Sequence, residues 1–231
     1  MNQQFNKSPK LEKWLRWIKD IENEISHLLG DVEAFRRVRE IVNANPRIQK
    51  PHRFYRYLFD SYISHAIIGL RRQIKLDKDS ISIARLLEEI ANDPKELSFN
   101  YYCSLLTRPL SPPELAIIKH DFKQHADASG THVCPRIVKD DLDKLRKTTI
   151  ACEEYADKRI AHRDKREPKL VKTYEDLEEE LNKSLEVLRQ TFEKYYLLFH
   201  VRSITVKPTY QGDWKAIFSE PWLRDSSGSA N

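Results

Sequence analysis

The sequence predicts an all-α protein, and three observations carry that reading. Glycine is scarce, 5 of 231 residues, against roughly 7% in average proteins, which argues against propellers, most barrels and glycine-dependent nucleotide-binding sheets. Neither G-x-G-x-x-G nor G-x-x-x-x-G-K occurs, so the usual phosphate-cradling loops are absent. Apolar residues instead recur three and four apart through one segment after another, the period of helices with a single buried face.

The elements follow in order. Ser8-Pro9 reads as an N-cap with proline in the first turn, opening a helix to about 27–29. Gly30 and Asp31 punctuate it, and a second helix runs from Val32 toward Val42. The two prolines of 43–51 mark a loop. From Arg53 to Leu76, the residues Phe54, Leu58, Tyr62, Ala66, Leu70 and Ile74 repeat every four, flanked by Phe59, Ile63 and Ile67, and predict a helix with a broad apolar face. Asp79 or Ser80 is the expected cap of a short helix carrying Ile83, Leu86, Leu87 and Ile90. Short helices are expected near 99–106 and 114–124. Val138, Leu142, Leu145, Thr149, Cys152, Ala156 and Ile160 form the stripe of a long helix ending near Pro168. Thr173-x-x-Asp176 resembles a capping box with aspartate in place of the usual Glu or Gln. It opens a last helix through Leu177, Leu181, Leu185, Leu188, Phe192, Tyr195 and Phe199 to about His200. The loop of roughly ten residues between these two helices makes them antiparallel neighbours. Beyond Ser203 the chain is expected to be irregular, with one short helical turn near 214–218.

This gives an N-terminal helical extension (1–50) packed on the main helical domain (51–202), and a C-terminal extension and tail (203–231). A chain of this length buries a sizeable core without disulfide or metal staples. The three cysteines, Cys103, Cys134 and Cys152, are odd in number and lack C-x-x-C spacing, which fits a reducing compartment. With no apolar signal core near Met1 and no apolar run of membrane-spanning length, the expectation is a cytoplasmic protein without a membrane partner.

Net charge is +5, and its distribution is informative. Residues 158–172 hold seven positive and two negative side chains, so this window alone carries an excess equal to the whole chain's. Glu175, Asp176, Glu178, Glu179 and Glu180 follow, where acids suit the positive end of a new helix. A basic patch of this kind is either an anion-binding surface or simply solvated charge. Within it lies His162. At about 100° per residue it falls about 120° from the centre of its helix's core stripe, on a flank near Tyr155 and Lys165, with Lys158 and Arg159 one turn away. Neighbouring cations favour a neutral imidazole able to act as a base, while they hold a phosphate.

Three stretches resemble the HEPN superfamily, most closely its abortive-infection AbiU-type branch. They are the 54–90 segment with Leu70-Arg71-Arg72, the run from Ala156 to Asp164, and Thr173-Tyr-Glu-Asp-Leu177 opening the final helix. The resemblance spans about residues 54–200 and implies an antiparallel helical bundle. It also implies a metal-independent endoribonuclease acting as a homodimer, with no cofactor, in phage defence or as a toxin with an antitoxin partner. By this resemblance His162 is the acid–base residue, and Arg163, Lys165, Arg166, Arg71 and Arg72 are candidate RNA contacts. The family places an arginine five to seven residues before the histidine, where this chain has Asp157, Ala156 and Tyr155. Either Arg159 or Lys158 has taken over phosphate binding, or cleavage is lost and an inactive scaffold binds RNA or a partner protein. A purely structural helical subunit is a third possibility.

Two other constellations remain. His120, Asp121, His125, His132 and Cys134 are residue types suited to zinc, though in no recognised spacing. Arg47, Lys50, His52, Arg53 and Arg56 interleave with Phe54, Tyr55 and Tyr57, as in surfaces that stack single-stranded bases. Against that, Phe54 belongs to the predicted core stripe, which makes the cations mere decoration of a loop and a helix start. Trp14, Trp17, Trp214 and Trp222 are expected to pack rather than form a site.

Overall fold

The computed structural model describes residues 6–49, 53–106, 110–161, 165–206 and 213–219. Among them are seven α-helices and no strand. The fold is all-α. The first element is a single helix, α1 (Pro9–Ala44), capped by Ser8, whose hydroxyl accepts from the Leu11 amide at 3.0 Å. The expected break at Gly30 does not occur. One glycine costs a helix only about 1 kcal/mol, and the stripe Leu11, Trp14, Ile18, Ile21, Ile25 and Leu28, buried against the rest of the molecule, outweighs it. Past Leu28, no side chain of α1 is fully buried. Its last third is laced instead by ion pairs of Arg36 and Arg37 with Glu33 and Glu40.

Helix α2 (Arg53–Ile74) runs antiparallel to α1, as its cross-contacts show: Phe35 stacks on Tyr62, Asp31 meets His65 and Glu24 meets Arg72. Its predicted stripe divides in two. Ile63, Ala66, Ile67, Leu70 and Ile74 are buried, while Phe54 is 43% exposed. Helix α3 (Ile83–Asn92) is capped by Ser82 rather than Asp79 or Ser80. The Ser82 hydroxyl accepts from the Arg85 amide and donates to the Lys75 carbonyl at 2.5 Å, so one buried side chain joins both helix ends. Residues 77–80 form a turn instead. Short helices α4 (Phe99–Ser104) and α5 (Pro112–Lys123) follow. Two isolated bridges, Ser98 with His132 and Ala126 with Val133, tie down the loop beyond them.

Helix α6 (Pro135–Tyr155) packs on α7 (Tyr174–His200), and its expected stripe is buried through Ala156. Asp141 meets Lys194 and Tyr195, while the Thr148 carbonyl meets Ser184, so the pair is antiparallel. The predicted box is present: Thr173 accepts from the Asp176 amide, and Asp176 accepts from the Thr173 amide. Leu177, Leu181, Leu185, Leu188, Phe192, Tyr195 and Phe199 all lie in the core, in one apolar cluster with the α1 stripe. Trp14 is fully buried and donates its indole N–H to Glu89 at 2.7 Å, and Trp17 is partly buried beneath Lys13. A single 3-10 turn covers Trp214–Phe218, and Trp222 lies outside the described residues. No helix among the described residues is long and apolar enough to cross a membrane.

Candidate nucleic-acid interface

Regular α-helix stops at Tyr155, and the backbone widens into a π-helical turn over Ala156–Ala161. Hydrogen bonding from i to i+5 advances each residue by less than 100°, so the angular position expected for His162 does not carry through this segment. His162 and Arg163 lie outside the described residues.

The side chains around them are placed. Glu154 organises the turn that leads to α7. Its Oε1 accepts from Lys158 Nζ at 2.5 Å, and its Oε2 accepts from the amides of Lys169 and Leu170 at 3.0 and 3.1 Å. Those bonds, the Lys158 one first, hold its carboxyl below the ordinary glutamate value. Lys158 also donates to the Glu167 carbonyl and is only 14% exposed. Arg159 donates to the carbonyls of Lys158 and Arg166 and pairs with the Glu167 carboxylate. The two cations expected to hold a phosphate beside His162 are thus engaged with the turn's own backbone and acids. Lys165, Arg166, Lys169 and Lys172 occupy exposed positions on the same turn.

Arg71 reaches this junction from α2 and pairs with Asp157 at 2.6 Å. Glu153 stands beside them; burial pushes its carboxyl up, with Arg71 opposing. Arg72 points elsewhere, to Glu24 of α1 at 2.6 Å. Of the predicted contacts, the structure gathers Arg71, Lys158, Arg159, Lys165 and Arg166 around the π turn and leaves Arg72 apart.

A second feature borders the first. The last third of α1, the first half of α2 and the start of α7 enclose a cavity of about 850 Å3. Phe35, Val38, Val42, Leu58, Phe59 and Tyr174 supply its apolar walls. Arg39, Arg53 and Arg56, with Asp60, Asn43 and Gln49, supply its polar groups. Its rings form a chain: Phe35 meets Phe59 at 6.0 Å and Phe59 meets Tyr174 edge-on at 5.3 Å, while Phe35 also stacks on Tyr62 at 3.8 Å. Tyr155 links groove and turn. Burial chiefly raises its hydroxyl's pKa, with Tyr174 and Asp60 on the groove side raising it further and Arg159 on the turn side lowering it.

Sequence reasoning noticed the α2 half of this groove but assigned Phe54 to the core. It missed the α1 half because a helix ending at Gly30 cannot bring Phe35, Val38 and Arg39 into line with it. The zinc-type residues do not assemble: among the described residues no three His, Cys, Asp or Glu side chains converge. His132 Nδ1 lies 3.0 Å from the Val133 carbonyl, while His125 Nδ1 is buried without a partner. Burial, then Lys194, lowers the His125 imidazole pKa. The three cysteines are free thiols. No family model, curated protein or solved structure matches this chain.

Proposed function

We propose that this chain is a HEPN-like RNA-binding protein that holds RNA by its phosphates at the basic turn between α6 and α7 and does not cut it. The observation that supports this is the division among the turn's cations. Lys158 and Arg159 are engaged by Glu154 and Glu167, whereas Lys165, Lys169 and Lys172 occupy outward, exposed positions on the same turn. Outward cations suit a polyphosphate, which releases its counterions on contact. Cleavage needs a cation held against the reacting phosphate, and the two that precede His162 by one helical turn, Lys158 and Arg159, are engaged by Glu154 and Glu167. A single-stranded RNA titrated over a range of salt tests the reading. Wild type should lose affinity steeply with salt. Lys165→Ala/Lys169→Ala/Lys172→Ala should flatten the log–log slope by about two, at roughly 0.7 per phosphate contact. RNA that fails to bind even at low salt would overturn the proposal.

One observation favours the cleaving alternative. Arg71 brings a guanidinium to Asp157, the position where the HEPN resemblance sets its arginine, and so could supply the missing group from another helix. Incubating RNA in EDTA with wild type and with His162→Ala separates the two: product from wild type alone establishes cleavage, and intact RNA in both, with binding seen in the salt titration, establishes binding without it. Pairing of two copies across the His162 segments belongs to this alternative and is read by light scattering.

A further inference from the structure

We propose that the groove between α1, α2 and the start of α7 is a stacking site for unpaired bases, so that the RNA held at the basic turn is single-stranded there. This rests on the RNA-binding reading above and extends it from phosphates to bases.

The shape fits first. About 850 Å3 lies within the roughly 300–1,000 Å3 typical of small-ligand sites. It suits a base turned out of a strand, whereas a duplex keeps its bases paired and offers mainly its backbone. The chemistry fits next. A base needs a flat apolar surface, a hydrogen-bonding edge and a cation for the attached phosphate. Phe59 and Tyr174 provide rings, and Tyr174 is 44% exposed where a helix-start residue would ordinarily be polar. Asn43 and Gln49 provide amides that both donate and accept.

Charge complementarity decides the occupant. Three arginines and one aspartate line the groove, an excess of positive charge around an apolar floor. Arg39 pairs with Glu178. Arg53 makes no ion pair among the described residues, and Arg56 holds Asp60 only at 3.8 Å with its side chain 76% exposed. An apolar protein helix would bury the floor but leave Arg53 desolvated without an acid and Arg56 with only a distant one, which is costly. A nucleotide offers them a phosphate. Continuity supports the same occupant: Tyr174, which lines the groove, opens α7 directly after the basic turn that ends at Lys172 and Thr173, so groove and turn adjoin along the chain.

The experiment uses a short oligouridylate carrying 2-aminopurine at alternate positions, whose fluorescence is quenched on stacking, with the full chain. Wild type should bind and quench. Tyr174→Leu keeps the wall apolar and should lose most of the quench and weaken binding about 5- to 150-fold, the range for one base–ring contact. Arg53→Ala/Arg56→Ala alters exposed side chains only and should weaken binding with the fold intact by circular dichroism. The Lys165→Ala/Lys169→Ala/Lys172→Ala variant should bind more weakly yet quench fully at saturation. Binding without quench, or groove variants that bind as wild type does, overturns the stacking site while leaving phosphate binding at the turn intact. Duplex RNA bound as tightly as the single strand overturns it too. An apolar amphipathic peptide displaced by the groove substitutions, with RNA binding unchanged, identifies the groove as a protein-docking face and also overturns it. Absence of RNA binding by wild type removes both this inference and the reading beneath it.

Discussion

Both carboxylate oxygens of Glu154 hold the α6–α7 turn, one through Lys158 and the other through two backbone amides. Glu154→Gln replaces one acceptor by a donor and removes the charge that attracts Lys158. The expected result is faster hydrogen exchange at the amides of Lys169 and Leu170, with exchange in the α7 core unchanged; equal protection in the variant would show that the turn stands without this residue. His125 gives a pH prediction. Its folded-state pKa lies below the ordinary value near 6.5, because burial and Lys194 disfavour the imidazolium, with Asp141 and Asp121 opposing. The unfolded chain therefore takes up the proton more readily. The stability this contributes is present above about pH 6.5 and is lost as pH falls through the folded value. His200, lowered chiefly by burial and then by Arg202 and Lys7, acts in the same direction, while Glu153, raised by burial, acts in the opposite one. Urea midpoints compared at about pH 7.5 and about pH 5.5, above the usual carboxylate range, should fall with acid in wild type and fall less in His125→Gln. At this scale the sequence shows which residues carry charge but not every partner they find. The Glu154–Lys158 pair, four residues apart, is open to sequence reading, whereas the partner of Arg159 emerges only when the turn brings the Glu167 segment back beside it.

Elements are more readable than residues, where their signals are local. The stripes of α6 and α7 emerge from spacing alone, because those helices bury one continuous face along most of their length. The Thr173–Asp176 box is equally plain, since its hydrogen bonds connect residues three apart. Ser82 is not plain. Its advantage over Asp79 and Ser80 comes from the Lys75 carbonyl, a partner that exists only once α2 has ended at Ile74. The π turn is invisible to any template of 3.6 residues. Gly30 misleads for a related reason: local propensity argues for a break, while the helix is held from outside by the packing of its first half. Gly30 has open space around a would-be Cβ and sits in helix, so Gly30→Ala should stabilise the protein by about 0.5–1 kcal/mol. A thermal melt should rise by roughly 2–4 °C per kcal/mol, and an unchanged or lowered midpoint would mean that α1 needs flexibility at that point.

At the scale of the whole molecule, α1 has two roles along its length. Its first half carries Leu11, Trp14, Ile18, Ile21, Ile25 and Leu28 into the apolar cluster shared with α2, α3 and α7, while its last third forms one wall of the groove. The groove was illegible in sequence because its residues come from 35–49, 53–60 and 174, and only the antiparallel course of a continuous α1 aligns them. The same continuity makes the N-terminal helix part of the domain's stability. Gly69 of α2 approaches so closely that an added Cβ would stand 2.7 Å from Leu28 Cδ1, and truncating a buried tryptophan such as Trp14 costs about 3–5 kcal/mol out of a typical 5–15. Removing residues 1–50 deletes the whole stripe together with Trp14 and strips the apolar cover from Ile63, Ile67 and Leu70. A fragment beginning at residue 51 should keep much of its far-ultraviolet helical signal yet bind the dye ANS and melt without a sharp transition, the signs of lost packing. The full chain should unfold in one step with tryptophan fluorescence and circular dichroism superimposed. A fragment that instead unfolds cooperatively and excludes the dye would show that α2, α3, α6 and α7 close a core of their own. In that case α1 would owe its length to the groove it walls.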